Sequence, residues 1–335
     1  MKRIAILGAG GMGTALALLF GKTEAQVRLW SRAEAHASDL ARRRINDRHL
    51  PGIRIPEDTL VTACAGEAMD GADLIVAAVP SSFLRATLTA LADRVPAGIP
   101  FLSVVKGIEN GTFDRPSQII VETLAERPVA VLSGPSHAEE IARGLPASVV
   151  VAGSSLELNQ AVQENLSNEA FRVYTNPDAV GVELAGALKN ILGIAAGICD
   201  GLGFGDNAKA ALLTRGLVEI SRLGVALGGH QATFYGLAGV GDLITTCYSP
   251  FGRNRSVGER IGRGEALETI LAGMVNVAEG VPTTRSVHAL ALKREIDMPI
   301  TAELHQVLFE GKDPRSAVSD LMVRLPKVED RKSVV

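Results

Sequence analysis

Three glycines near the start of the chain, Gly8, Gly10 and Gly13, match the spacing G-x-G-x-x-G and lie between a short apolar run and a second apolar run of helical character within Arg3 to Phe20. That context reads as strand, tight turn and helix, the arrangement in which free amides and the positive end of the helix dipole face an anion. Gly8 permits the turn, Gly10 removes the Cβ that would keep a diphosphate from the backbone, and Gly13 lets the helix pack close to the strand. A second centre is Lys189. On helical spacing it shares a face with Val182, Ala185, Gly186, Leu192 and Gly193, and no acidic residue stands three or four positions away to pair with it. Desolvation on such a face disfavours the ammonium and brings its pKa toward a range where the group gives up a proton and takes it back. This suits carbonyl reduction, because hydride delivery leaves an alkoxide that a lysine both stabilises and protonates. A third concentration runs from Gly236 through Asp242 to Gly252, Arg253 and Asn254. Glycines make amides accessible, the arginine offers a forked donor to a phosphate, and Asp242 could orient a lysine. The same residues also fit a loop with solvated arginines and an aspartate in a turn.

These side chains need a scaffold. A second strand, Gln26 to Trp30, completes a βαβ opening, and the polar segment Ala33 to Ile45 reads as a helix whose Arg42, Arg43 and Arg44 form a solvated face. Strand-length apolar runs recur at Leu74 to Val79, Phe101 to Val105, Val129 to Leu132 and Ser148 to Val151, alternating with helical stretches such as Phe83 to Asp93 and Pro116 to Ala125. The alternation predicts an α/β unit, a Rossmann-type, doubly wound, mostly parallel sheet, in which ligands sit beyond the carboxyl ends of the strands. Pro80-Ser81-Ser82, Lys106-Gly107 and Ser133-Gly134-Pro135-Ser136 follow such strands. Around Asn176-Pro177-Asp178 the texture changes to long helices, Val180 to Ile198 and Ala208 to Ala226. Residues 1-178 therefore read as a dinucleotide-binding unit and 179-335 as an all-α substrate unit packed firmly against it. The charged end, Val328 to Val335, reads as frayed.

With 335 residues, 47% of them hydrophobic, and a net charge of -3, the chain can fill two cores and has no general electrostatic reason to bind nucleic acid or a membrane surface. Cys64, Cys199 and Cys247 offer neither a disulfide framework nor a paired metal motif, which fits a reducing, cytoplasmic setting. The six histidines show no ligand spacing, so no metal is expected; His137 alone falls in a block of interest. The basic start Met1-Lys2-Arg3 is followed too soon by glycines for a signal peptide, and Lys189 with Asn190 interrupts the apolar run Leu184 to Ile198 that could otherwise suggest a membrane span.

The blocks G-A-G-G-M-G-T-A at Gly8, S-V-V-K-G-I-E at Ser103, L-S-G-P-S-H-A at Leu132 and E-L-A-G-A-L-K-N at Glu183 resemble those of the NAD(P)-dependent sn-glycerol-3-phosphate dehydrogenases. So do G-D-N-A-K-A-A-L-L-T-R-G at Gly205, G-L-A-G-V-G-D-L-I-T-T-C at Gly236, G-R-N-R at Gly252 and V-A-E-G-V at Val277, in an order that spans nearly the whole chain. The resemblance implies reversible hydride transfer between a nicotinamide cofactor and dihydroxyacetone phosphate, the supply reaction for glycerophospholipids. It implies that Lys189 is the general acid/base, with Lys106 and Asp242 as polarising neighbours and Asn190 and Thr246 in support. Gly134, Ser136, Gly252, Arg253 and Asn254 become the substrate-contacting set, together with Lys106. Cofactor contacts follow at Gly11, Met12, Arg32, His49, Lys106, Ala138, Arg253, Val277 and Glu279. Many bacterial members carry Ser where Gly252 stands, so a side-chain contact to phosphate there is replaced by the backbone amide or lost; an aromatic residue is frequent where Met12 stands.

Two other readings compete. A 3-hydroxyacid dehydrogenase of the 6-phosphogluconate type shares a Rossmann unit, a helical unit and a lysine followed by asparagine, but not the blocks Gly252 to Arg255 and Gly205 to Gly216. A cofactor-sensing protein that lost catalysis would have little use for Lys106, Lys189 and Asp242 together. The end of the second strand bears on the cofactor. An Asp or Glu about 20 residues beyond the glycines accepts hydrogen bonds from the ribose 2′-hydroxyl of NAD, whereas here Ser31 and Arg32 stand at that place. No acid repels a 2′-phosphate, and Arg32 can bind one. NADP(H) is expected to be preferred, with NAD(H) also used, a small phosphorylated molecule as substrate, and a homodimer left open.

Overall fold

The computed structural model describes residues 1–325, so the expectation for Val328 to Val335 lies outside the described residues. Eight strands form one sheet: β1 Arg3–Leu7, β2 Gln26–Trp30, β3 Leu60–Thr62, β4 Leu74–Ala77, β5 Phe101–Ser103, β6 Val129–Ser133, β7 Ala147–Gly153 and β8 Phe171–Asn176, in the spatial order β3-β2-β1-β4-β5-β6-β7-β8. The first six strands are parallel, and their order reverses between β1 and β4. That switch point leaves a crevice at the carboxyl edge of the sheet. The fold is the expected α/β sheet followed by helices.

The sheet departs from a purely parallel one at a single place. β7 runs antiparallel to β6, and β8 then runs parallel to β7. A parallel return needs a crossover of about a dozen residues or more, usually a full helix. The link from β6 to β7 instead holds the Gly134 to His137 turn and the five-residue helix Ala138–Ala142. Two strands were absent from the sequence reading. β3 has just three residues, and β8 alternates buried Phe171 and Val173 with exposed Arg172 and Tyr174 at the edge of the sheet.

Helix α1, Gly11–Phe20, follows β1, and helix α2, Glu34–Arg43, follows β2. The arginine run does not form a uniform solvated face. Arg42 and Arg43 pair with Asp39 at 2.9 and 3.4 Å, but Arg44 ends the helix in the left-handed region at φ 57° and turns inward, donating to the Thr59 carbonyl at 2.9 Å. One core cluster covers one face of the sheet through Leu16, Phe20 and Leu40, and another covers the opposite face through Leu84, Leu88 and Ile120.

The helical half is built around Ala179–Gly201, long and apolar enough to cross a membrane by composition but buried from Gly181 to Cys199 by its neighbours, as a core helix is. Its glycines let another backbone approach. A Cβ at Gly197 would overlap the Arg255 carbonyl at 2.0 Å, and one at Gly258 would overlap the Ile194 carbonyl at 1.9 Å, so the helix Arg253–Gly262 lies directly on it. The third core cluster joins these helices to Val131 and Val150 of the sheet.

Two carboxylates tie the halves by the same device. Glu183 accepts from the Ser117 amide at 2.8 Å at the start of helix Pro116–Leu124, and Glu279 accepts from the Ser81 amide at 2.8 Å at the start of helix Ser81–Leu91. Each anion sits at the positive end of a helix, where unpaired N–H groups favour it.

Candidate active site

A cleft of about 490 Å³ runs from the glycine turn to the buried middle of Ala179–Gly201. At its outer end, Gly8 has φ +121° and a Cβ there would meet the Ala78 carbonyl at 2.7 Å, while a Cβ at Gly13 would overlap the Gly8 carbonyl at 1.8 Å. Nothing lies within 4 Å of the place a Gly10 Cβ would take. α1 has no side-chain cap and no acidic residue in its first turn. Its amides are thus open toward the cleft, with room for a diphosphate, and the turn fits a dinucleotide.

The far end holds three charges. Lys189 is 6% exposed and Asp242 is 2% exposed. Asp242 accepts from Lys189 Nζ at 2.8 Å on Oδ1 and from Lys106 Nζ at 2.6 Å on Oδ2. Lys189 also donates to Thr246 Oγ1, which uses two of its three donors and leaves one for a ligand oxygen. Burial lowers the Lys189 pKa to about 8, against the opposing pull of Asp242. For Asp242, burial favours the neutral acid, but the two ammonium groups overcome it and hold the carboxyl below its ordinary range. A π-helical turn, Leu237–Gly241, sets Asp242 at the head of helix Asp242–Tyr248, which carries Thr246 one turn on.

Backbone placement is fixed by a buried amide chain. Gly280 N–H donates to Asn254 Oδ1 at 2.9 Å, Asn254 Nδ2 to Asn190 Oδ1 at 2.9 Å, and Asn190 Nδ2 to the Lys106 carbonyl at 3.3 Å. Lys106 Nζ reaches the Gly134 carbonyl at 3.0 Å and Ser136 Oγ at 3.1 Å. Lys106, Ser136, Lys189, Asn190, Asp242, Thr246, Gly252, Arg253 and Asn254 all line the cleft. Gly134 stands behind its wall as an acceptor for Lys106.

Two arginines two residues apart behave differently. Arg255 is tied to Asp200 at 2.7 Å, whereas Arg253 is exposed on the cleft wall with no ion pair among the described residues. Arg253 opens a helix without a side-chain cap, so its guanidinium and the first-turn amides present donors together. The Gly252 amide is not among them. It donates to the Ser249 carbonyl at 3.1 Å, so of the two alternatives for this position, a backbone amide in place of the serine side chain or a lost contact, the amide is already engaged. A Cβ at position 252 would lie 2.8 Å from the Thr246 carbonyl.

The remaining sequence candidates spread along the outer cleft. Gly8, Gly10, Gly11, Met12, Ser31, Arg32, His49, Val277 and Glu279 line it. Ala138 lies one layer back, its Cβ 3.5 Å from where a Gly11 Cβ would be, and Gly13 packs under the turn. His49 Nδ1 pairs with Asn276 Oδ1 at 2.7 Å, joining the two halves. Burial raises the Glu279 pKa, with Ser81 opposing. Sequence reasoning missed Phe83, whose ring lies 6.0 Å from the Arg32 guanidinium, and His36, which pairs with Ser31 Oγ at 3.0 Å. Phe83 read as helix filling; its place after β4, beyond a strand end, was the available signal. His137 also lines the cleft.

A dinucleotide turn at one end of a cleft and a desolvated lysine at the other define a nicotinamide-dependent dehydrogenase with a Rossmann sheet and a helical second half. Comparison with known proteins narrows the class. The family models for the N-terminus and C-terminus of NAD-dependent glycerol-3-phosphate dehydrogenase match residues 3–159 and 178–319. The chain is 48% identical over 332 residues to a glycerol-3-phosphate dehydrogenase [NAD(P)+] of Geobacillus thermodenitrificans, covering 98% of this chain and 97% of that one. It is 49% identical to the protein of the same name from Moorella thermoacetica, with 96% of each chain covered. The crystal structure of a glycerol-3-phosphate dehydrogenase from Coxiella burnetii superposes with a TM-score of 0.93 at 40% identity, covering 96% of this chain and 99% of that one. The chain belongs to the NAD-dependent glycerol-3-phosphate dehydrogenase family.

Proposed function

We propose that the protein catalyses reversible hydride transfer between NAD(P)H and dihydroxyacetone phosphate, giving sn-glycerol 3-phosphate, with residues 1-178 holding the cofactor and 179-335 the substrate. The observation that carries this reading is the buried Lys189 between Asp242 and Thr246, with one donor left over, in the same cleft as Arg253, which has no ion pair among the described residues. When bound, the nicotinamide supplies the hydride.

Lys189 donates to the substrate carbonyl oxygen and gives it a proton as the carbon is reduced; in the reverse direction the neutral amine takes that proton from the alcohol. Asp242 holds Lys189 and Lys106 in place, and the pair of lysines against one carboxylate leaves a net positive centre where an alkoxide develops. Arg253 and the helix it opens bind the phosphate, with Asn254 fixing that helix to Asn190. At the outer end, Gly8, Gly10, Gly11 and Gly13 admit the diphosphate, Met12 and Val277 pack along it, and Ser31 with Arg32 receives the adenosine ribose, favouring NADP(H) while admitting NAD(H). The free thiols of Cys64, Cys199 and Cys247 support a reducing, cytoplasmic setting.

Oxidation of NADPH on addition of dihydroxyacetone phosphate, with sn-glycerol 3-phosphate as the product, is the expected result. Turnover of 6-phosphogluconate or other 3-hydroxyacids in its place, or NADPH binding with no turnover of the phosphate ester, would reject this function.

A further inference from the structure

The cleft has three anionic groups to hold, and the arginines assigned so far serve two of them. Arg32 is assigned to a ribose 2′-phosphate and Arg253 to the phosphate of the substrate. The diphosphate, which NADPH and NADH share, has only backbone amides and the end of a helix dipole. From Leu7 to Gly21 the segment that receives it carries no charged side chain. In a protein of net charge -3, no general field attracts this doubly charged group, so a cation has to stand close by.

Arg48 is such a cation. It lines the cleft, is exposed, and makes no ion pair or side-chain hydrogen bond among the described residues. Its neighbours in sequence behave otherwise. Arg42 and Arg43 pair with Asp39, Arg44 donates to the Thr59 carbonyl at 2.9 Å, and Arg54 pairs with Glu57 at 2.6 Å. Even the adjacent carboxylate, Asp47, is turned to Arg43. The segment that carries Arg48 is also fastened to the glycine turn. Asn46 Nδ2 donates to the Ala9 carbonyl at 3.0 Å and to Thr14 Oγ1 at 2.8 Å, and a Cβ on Gly11 would lie 3.0 Å from the His49 carbonyl. Arg48 thus stands one residue from backbone that touches the first turn of α1, whose amides have no side-chain cap. Its charge is felt in the cleft. Burial lowers the pKa of His49, and Arg48 and Arg253 act in the same sense, against the hydrogen bond with Asn276.

We infer that Arg48 is a cofactor-binding residue whose guanidinium donates to the diphosphate oxygens, alongside the first-turn amides of α1. The inference rests on the reading of this cleft as a nicotinamide dinucleotide site. It divides the arginines of the outer cleft by role. Arg48 holds the part that the two cofactors share, and Arg32 weighs the phosphate by which they differ.

Arg48→Met keeps the apolar stem and removes charge and donors; Arg48→Lys keeps the charge. Dissociation constants of NADPH and of NADH are measured by nicotinamide fluorescence on the enzyme without substrate. For Arg48→Met both constants are expected to rise by about fivefold to thirtyfold, as befits a charge-assisted contact at an exposed site, with their ratio within about twofold of wild type. Arg48→Lys should recover part of the loss. Because the guanidinium has no ion pair or hydrogen bond in the free protein, the thermal unfolding midpoints of both variants should match wild type. A rise for NADPH alone would place Arg48 on the 2′-phosphate and overturn the inference. So would unchanged constants for both cofactors, which would leave the arginine solvated, or a rise accompanied by a lowered unfolding midpoint in both variants, which would make the residue structural. Wild-type enzyme that binds neither NADPH nor NADH would instead reject the cofactor reading on which the inference rests.

Discussion

The two ends of the cleft hold their charges in opposite ways. Around Lys189 the charges are paired and largely withdrawn from water, with buried Asp242 bridging buried Lys189 and half-buried Lys106 at 2.8 and 2.6 Å. Around Arg32 the side chain is exposed, with the guanidinium 6.0 Å from the centre of the Phe83 ring. Chemistry on a developing charge gains from desolvation, because a donor in a water-excluded site is worth far more than one in water. Choosing between two cofactors that differ by one phosphate needs less, and an exposed charge supplies it at a small stability cost. The inner end should therefore respond to substitution in kcat, and the outer end in the ratio of two cofactors.

The largest effect is expected at the inner end. Lys189→Met keeps the length of the side chain and removes proton and charge, so kcat for reduction of dihydroxyacetone phosphate should fall by at least about a hundredfold with NADPH affinity near normal. Retention of more than roughly a tenth of kcat would remove the distinction between the two ends. Between them lies Arg253. Arg253→Ala should raise KM for dihydroxyacetone phosphate by about tenfold to a hundredfold, with little change for dihydroxyacetone, since the lost contact is charge-assisted and made to the phosphate alone. Equal losses on both compounds would make the arginine structural, as Arg255 is. The smallest effect belongs to the outer end. Arg32→Asp should shift the kcat/KM ratio of NADPH over NADH by about tenfold toward NADH, a modest figure because the site is exposed. An unchanged ratio, or a wild type that already favours NADH, would mean that Arg32 serves only as a partner for Phe83.

Legibility in the sequence followed the same divide between local and assembled features. The glycine turn was readable because strand, turn and helix are contiguous, and the steric demands at Gly8 and Gly13 are met within that segment or by the neighbouring strand end at Ala78. Lys189 stood out because helical periodicity gave it an apolar face. Asp242 was singled out as a residue that could orient a lysine, but spacing alone could not pair it with Lys189, since it lies far along the chain and reaches Lys189 only when the helices pack. The triple-residue β3 carries too few side chains to show a period, and β8, with two buried positions, falls beside the Asn-Pro-Asp turn that drew attention to the change of texture. Arg44 looked like its neighbours Arg42 and Arg43, and what separates it is a left-handed backbone at the helix end that no periodicity reveals. The fate of the Gly252 amide stayed open for a similar reason. Its donation to Ser249 depends on the turn that brings the chain into helix Arg253–Gly262.

The central claim is that a desolvated Lys189 delivers the proton, and the pH dependence of kcat/KM for dihydroxyacetone phosphate reduction tests it most directly. Because burial lowers this pKa to about 8, the ammonium form needed for reduction is present below that value and lost above it. The profile should be level on the acid side of the transition and fall about tenfold per pH unit on the alkaline side, while oxidation of sn-glycerol 3-phosphate, which needs the free amine, should rise through the same transition. The limb should vanish from the residual activity of Lys189→Met. A reduction profile that stays level to beyond about pH 9.5, or a limb that survives in Lys189→Met, would contradict the account.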